Sequence, residues 1–490
     1  MAAAVITAPA SADSRTANKT RDQEIQELKV RLDRLEREAE DEKIVAGSRV
    51  GKVEEHQAAQ PVWSFKNLRP TISSPDSAFE LAFRGRFQLD FASFEQDDAD
   101  MGAGHGCGVG TLCDLGAGTV FRRMRLGVEG KFFKDFIYEI RFEFGGTDAE
   151  AGGVINIARV GYTGIPNTRI HAGAIQPIFT LYNSTSSADL NTIERASVVN
   201  ALTDPFGGDS ARKGVEATYM KQNFLYPGDN FIVSAAFTGQ RVGTAHSGNP
   251  DDEGTQILGR AAYRIYSDSD TNIQLGVSAS QILSLSGTTP GGARNLRFSD
   301  RPEIRVQGNR FVDTGNIASD DGSVIGFEAA ANFHNFFLAA EYYKWEANRS
   351  DPLLPDPEFK GWYVEGTWIL TGEKKSYKAS ATNNNVAVWA SPTPKSPFTW
   401  GDGIGAWELT ARYSVLDLNY REDLTVVLGG IAGGEQAITN IGINWVPNAN
   451  LRLVTEYAMV DVDRDSAAGT LNNALDAKFD IIQGRVQFSF

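Results

Sequence analysis

Two hydrophobic periods run through this chain and divide it. From Glu24 to Glu40 the apolar residues Ile25, Leu28, Leu32, Leu35 and Ala39 recur at alternating spacings of three and four. That is a heptad seam of about two repeats. It predicts a coiled-coil helix over residues 21–45, with Lys29 and Glu36 at e positions and Glu24, Arg31 and Glu38 at g positions. A helix this short needs partners to persist in water. Its seam suits a stalk joining copies of the chain, the alternative being a solvated helix lying on its own domain. Residues 46–77, with Pro61, Pro70, Pro75 and several serines, read as a linker with little regular structure.

Beyond Ser77 the period becomes two. Between Ala82 and Phe91, residues Phe83, Phe87, Leu89 and Phe91 share one face, and Arg84, Arg86, Gln88 and Asp90 the other. The next such segment sets Val120, Met124, Leu126 and Val128 against Arg123, Arg125 and Glu129. The third sets Tyr138, Ile140, Phe142 and Phe144 against Glu139, Arg141 and Glu143. Further strands are expected at 153–163, 168–176, 212–222, 230–240, 256–266, 271–283, 323–333, 336–347, 358–371, 404–418, 436–446, 450–463 and 478–490, making sixteen. Short connections such as Lys131 to Asp135 and Pro447 to Asn450 alternate with long polar ones. This layout predicts an all-β fold, a 16-stranded antiparallel transmembrane β-barrel over 78–490, preceded by the α-helical coiled-coil segment. A soluble sandwich also alternates, but its polar face meets bulk water. So many Arg and Glu residues facing one way suit a water-filled lumen better. The last strand, ending in Gly484 to Phe490, keeps Val486, Phe488 and Phe490 on one face and resembles the assembly signal of bacterial outer-membrane barrels.

Composition removes other classes. The 490 residues carry 62 acidic and 47 basic side chains, a net charge of −15, which argues against a nucleic-acid partner. No run of about 18 apolar residues exists, so no membrane helix is expected. A mean hydropathy of −0.28 is no obstacle, because every second strand residue of a barrel faces water. The start of the chain, MAAAVITAPASA, ends in small residues like a signal-peptidase site, so residues 1–20 read as an export-signal remnant or a disordered terminus. Cys107 and Cys113 lie close together in a glycine-rich stretch and read as a loop disulfide, which implies an oxidising compartment. With His105 nearby they match none of the usual zinc spacings, and no metal or cofactor is expected. The glycines there also imitate a nucleotide-binding G-x-G-x-x-G, but no strand leads in and no helix follows.

The candidate chemistry is cationic. Arg84, Arg86, Arg123, Arg125, Arg141, Arg159 and Arg169 fall on the first five strands, most of them on the inferred lumen face. Guanidinium forks on adjacent strands form a ladder for oxyanions, and arginine or lysine rings are how pores select anions. The competing reading is that Glu129, Glu139 and Glu143 neutralise them in cross-strand pairs. Later strands add Arg260, Arg264, Arg412, Arg452 and Arg485. The loop at 177–211 is mildly apolar and partly helical in pattern, too sticky to remain in solvent. It is expected to fold into the lumen and narrow it, with Glu194 and Arg195 at the constriction. The segment 284–322, with Arg297, Arg301 and Arg305 close to Asp300 and Glu303, reads either as a loop or as an extra strand pair.

These residues resemble the phosphate-selective porins O and P. The likeness covers roughly 78–490 and rests on F-R-G-R-F-Q-L-D-F at Phe83, R-R-M-R-L-G-V-E-G-K at Arg122, I-E-R at Ile193, R-F-S-D-R-P-E at Arg297, V-D-T-G at Val312 and G-W-Y-V-E-G-T-W-I-L-T-G-E at Gly361. The resemblance implies a homotrimer of 16-stranded barrels in an outer membrane of Gram-negative type, contacting its lipid, with an inward loop and anion passage aided by lumen arginines and lysines. The loop at 177–211 departs from it in carrying Arg195 but no lysine.

The expectation is therefore an outer-membrane porin passing small anions, phosphate among them, with its N-terminal arm in the periplasm. The alternative is a general diffusion porin without anion specificity that also tethers the outer membrane to the cell wall through its helix. An enzyme would need a nucleophile beside a base. The five histidines are scattered, and only His171 is placed to face a lumen.

Overall fold

The computed structural model describes residues 13–58, 60–96, 115–146, 154–208, 211–243, 252–287, 294–379, 386–464 and 475–490. Cys107 and Cys113 lie outside these residues. The chain divides into two compact units, Met1–Val62 with Ser73–Asp76, and Trp63–Ile72 with Ser77–Phe490.

The first unit is dominated by one long helix, α1 (Asp13–Ala58). It begins before the expected 21–45 and runs through the first part of the expected linker. Residues 41–58 hold Lys, Glu, Val and Ala without a proline, so Gly47 and Gly51 weaken the helix without ending it. The second correction to the linker is a hairpin, Val62–Lys66 with Arg69–Ser73, turning on Asn67 and Leu68 at φ 52° and 58°. Both turn residues are left-handed, the conformation of the tight turns that match strand twist.

The second unit is a closed barrel of sixteen strands, each expected one being present. They are β1 (Glu80–Gln96), β2 (Gly118–Phe132), β3 (Phe136–Glu143), β4 (Val154–Tyr162), β5 (Thr168–Ile175), β6 (Arg212–Gln222), β7 (Asn230–Arg241) and β8 (Thr255–Ser267). There follow β9 (Thr271–Ser284), β10 (Ile317–Phe333), β11 (Phe336–Arg349), β12 (Glu358–Ile369), β13 (Ala406–Tyr420), β14 (Ile431–Val446), β15 (Leu451–Arg464) and β16 (Leu475–Ser489). Each pairs antiparallel with the next, and β16 pairs with β1 through Arg485 opposite Asp90 and Phe488 opposite Phe87. At that seam the Phe490 ring covers Gly85, where a Cβ would come within 2.2 Å of it.

Phe83, Phe91, Leu126, Ile140 and Phe142 point outward and are exposed, forming an apolar outer face. One assignment on β2 is corrected. A bulge sets Gln88 opposite Arg123 but Leu89 opposite Phe121, leaving Arg122 as the extra residue. Below the bulge Val120 lies opposite the buried Asp90 and faces inward, while Phe121 faces out.

Three segments fold into the lumen. The expected loop holds α2 (Leu181–Ser184), capped by Thr180, and α3 (Ser197–Thr203). Among its described residues, segment 284–322 adds no further barrel strand; it forms two small pairings, Asn295–Leu296 with the start of β10 and Ser299–Asp300 with Val312–Asp313. The third segment was not expected: the 370–405 connection sits on the rim that otherwise carries short turns. Its backbone is satisfied inside, where Arg260 donates to the carbonyls of Val386 (3.0 Å) and Ala387 (2.9 Å). Around these insertions lies an apolar core, including Phe206, Phe298, Trp345, Phe359 and Tyr363. Val198 of α3 sits so close to Gly361 that a Cβ there would approach it to 2.5 Å.

Candidate functional site

The alternation of β1 to β4 turns one arginine after another into the lumen. In register, Arg86 faces Arg125, Arg125 faces Glu143, and Glu139 faces Arg159. A direct Arg–Arg pair costs stability in a sheet, so its presence calls for a compensating use or counter-charge. Two of the cavities along this wall share four of its arginines. One of about 170 Å³ is lined by Arg84, Arg86, Arg123, Arg125, Arg141 and Arg159, and across from them by Ser184 to Ser187 and Arg195 of the inward loop. The other, of about 590 Å³, is lined by Ser64, Lys66, Asn67, Arg69 and Thr71 of the hairpin, by Lys378, and by Asn450 and Phe490. Arg84, Arg86, Arg125 and Arg141 line both, and so stand at the junction of the two spaces.

Most of the wall is paired. Arg84 reaches Glu129 at 2.6 Å and Glu139 at 3.4 Å, Arg159 reaches Glu139 at 2.7 Å, and Arg141 lies 3.3 Å from the same carboxylate. Arg125 binds Glu143. Arg86 differs. It donates to the hydroxyls of Ser187 (2.7 Å) and Ser186 (2.8 Å) and makes no ion pair among the described residues. Its Nε is buried without a partner.

The remaining expected residues fall elsewhere. Arg169 lines neither cavity and lies 3.7 Å from Glu216. Glu194 does not face the passage. It is buried and accepts from Arg122 Nε (2.8 Å), Arg123 Nη1 (3.3 Å) and Arg485 Nη2 (2.7 Å). Burial alone would push its carboxyl up, but Arg122, Arg123 and Arg485 hold it well below the usual carboxylate range. Arg485 also clasps Asp90 at 2.6 and 2.7 Å, so this cluster ties the barrel seam to the loop. Arg195 lines the first cavity while donating to the carbonyls of Tyr182 (2.8 Å) and Thr185 (2.9 Å). The loop therefore presents Ser186, Ser187 and Arg195 to the first cavity, while Glu194, expected beside Arg195, is turned into the buried cluster. His171 is buried, with its Nδ1 3.4 Å from Arg159 and 3.9 Å from Glu216.

Sequence reasoning missed Arg122, although the doublet Arg122–Arg123 was a signal: a regular strand cannot turn two consecutive residues inward. It missed Glu303 as a hub, which binds Arg412 and accepts from Ser414 (2.6 Å), Asn440 (2.6 Å) and the Ser197 backbone (2.8 Å). Lysines absent from the inward loop are supplied to the second cavity by the hairpin and the 370–405 segment.

A family model, phosphate-selective porin O and P, matches residues 82–490. The chain belongs to that family. Porin O of Pseudomonas aeruginosa is 25% identical over 442 residues, 86% of this chain and 90% of that protein. An uncharacterised protein of Caulobacter vibrioides is 27% identical over 424 residues, 86% of this chain and 76% of the other. Among solved structures, an anion-selective porin from Comamonas acidovorans superposes with a TM-score of 0.50 at 13% identity, covering 84% of this chain and all of that one, a likeness of fold. This porin is thus an outer-membrane β-barrel channel. Its buried His171 lies between Arg159, which pairs with Glu139, and Glu216, which lies 3.7 Å from Arg169.

Proposed function

We propose that the porin passes small anions, phosphate among them, and draws them through the junction formed by Arg84, Arg86, Arg125 and Arg141. Arg86 carries the reading. Its guanidinium is bound by two serine hydroxyls, makes no ion pair among the described residues, and lies among like charges at the point both cavities share. A guanidinium stays charged at physiological pH, and its fork fits an oxyanion. Lys66, Arg69 and Lys378 continue the cationic side chains into the second cavity, Arg69 paired with Glu129 and Lys378 3.3 Å from Asp189. The pairs made by Glu129, Glu139 and Glu143 favour the second reading, a channel without anion preference. The reversal potential of single channels in a salt gradient, in chloride and then in phosphate, decides between them. Anion preference is expected, and cation preference in both salts sinks the proposal.

The working unit in this reading is a homotrimer. Strands β3 and β5 have eight residues each, short of the roughly 9–11 a strand needs to cross a bilayer. A wall that low suits cover by neighbouring copies better than cover by lipid. The N-terminal arm belongs to the periplasm, because the short-turn rim that bears both ends of the barrel faces that side in bacterial barrels.

A further inference from the structure

The seam of α1 has no partner within its own helix. Ile25, Leu28, Leu32 and Leu35 are between 43% and 64% exposed along one stripe of a 46-residue helix. Apolar side chains in such a stripe gain from burial against a second seam of the same spacing. The charges beside the seam say which seam. With Ile25 at a, the g positions are Glu24, Arg31 and Glu38, and the e positions are Lys29, Glu36 and Lys43. In a parallel, in-register coiled coil each g residue meets the e residue five places further along the partner helix.

Glu24 then meets the partner's Lys29, Arg31 meets the partner's Glu36, and Glu38 meets the partner's Lys43. All three contacts join opposite signs. A slip of one heptad one way puts Glu24 against the partner's Glu36 and Arg31 against the partner's Lys43. A slip the other way puts Arg31 against the partner's Lys29 and Glu38 against the partner's Glu36. Every contact is then between like charges, which destabilises about as much as the matched pairs stabilise. The reversal of sign at the middle pair thus specifies register as well as partner.

We propose that α1 joins the same helix of other copies of this chain in a parallel, in-register coiled coil. Parallel orientation follows from the barrel: copies inserted in one membrane point the same way, and their N-terminal helices leave from the same end. Two heptads are marginal for free helices, but helices attached to barrels already held together meet at high effective concentration. The number of helices in the bundle and their effective concentration rest on the trimer reading above; the seam and its charge pattern do not.

The test uses the full chain in outer-membrane vesicles under a mild oxidant. Leu28→Cys, at a d position, brings its thiol beside the partner's own in this register and should give covalent dimers. Val30→Cys, on the outer face of the helix, and the parent chain with its natural cysteines should not. Reversing the e charges (Lys29→Glu with Glu36→Lys) should lower the Leu28→Cys yield about fivefold, and adding Glu24→Lys with Arg31→Glu should restore it. Equal cross-linking from Leu28→Cys and Val30→Cys overturns the proposal. So does its absence from Leu28→Cys in barrels that still run as trimers on native gels. Dimers from barrels that run as monomers would uphold the helix pairing and sink the trimer.

Discussion

The two halves of this barrel obey the same alternation and put it to opposite uses. Along β1 to β4 many inward residues are arginines and glutamates, and a cavity opens before them. Along β11 and β12 they include Trp345, Phe359 and Tyr363, and the space before them is filled by inward segments. Period two tells which residues face inward. Their chemistry tells whether inward means water or protein. The open half keeps charge along a cavity, and the packed half supplies the backing that presents Ser186 and Ser187 to Arg86.

The sharpest way to break that contrast is to damage each half in turn. Trp345 is buried against Phe298 and Phe359, with ring centroids 5.9 and 6.0 Å away. Trp345→Ala should cost about 3–5 kcal/mol through lost burial and a cavity, read as a lower thermal or denaturant midpoint. Arg86→Ala should leave stability within about 0.5 kcal/mol, since it removes two serine hydrogen bonds together with a clash of like charges. Comparable losses from both would mean that the arginine wall holds the fold together as much as the packed side does.

A smaller effect is expected where the halves are joined. Glu194→Gln leaves Arg122, Arg123 and Arg485 in the same buried cluster with one negative charge fewer. Losing hydrogen bonds to a charged group should cost about 1.5–3 kcal/mol. Because the cluster anchors the inward loop, single-channel currents should become noisier while the ion preference keeps its sign. A quiet channel of unchanged conductance would show that Glu303 and Arg412 hold the loop without help. Arg86→Ala, by contrast, should move the reversal potential toward zero with little added noise, and an unmoved potential would demote Arg86 to a partner of the loop serines.

Much of this was legible in the sequence, and the failures have physical causes. All sixteen strands follow from the alternation because a half-buried strand writes its pleat directly into the order of residues. The inward loop shows itself by its apolar run through Ile178, Phe179, Leu181 and Tyr182. The bulge at Arg122 escapes because alternation carries no marker for an inserted residue beyond the arginine doublet. The 370–405 segment escapes because Lys374, Lys375, Pro392 and Pro394 look like any solvated connection; its inward course is decided by Arg260 and Gln274 on distant strands. Glu194 was recognised as part of the constriction loop, but its partners on β2 and β16 are contacts between residues hundreds of positions apart in one case and could not be read from spacing.

The Glu194 cluster also predicts how the joint between the halves responds to acid. A carboxyl held below its unfolded range favours the folded state fully above the unfolded pKa of about 4.3 and loses that contribution as pH falls toward the depressed value. Conductance and noise should therefore be flat from neutral pH down to about 5, with noise rising only as the pH falls below about 4. Glu194→Gln, already without the charge, should be noisy at neutral pH and show no further step. If the parent channel instead changes near neutral pH, its acid response comes from a group other than Glu194, and the loop's attachment to the arginine wall is not what senses it.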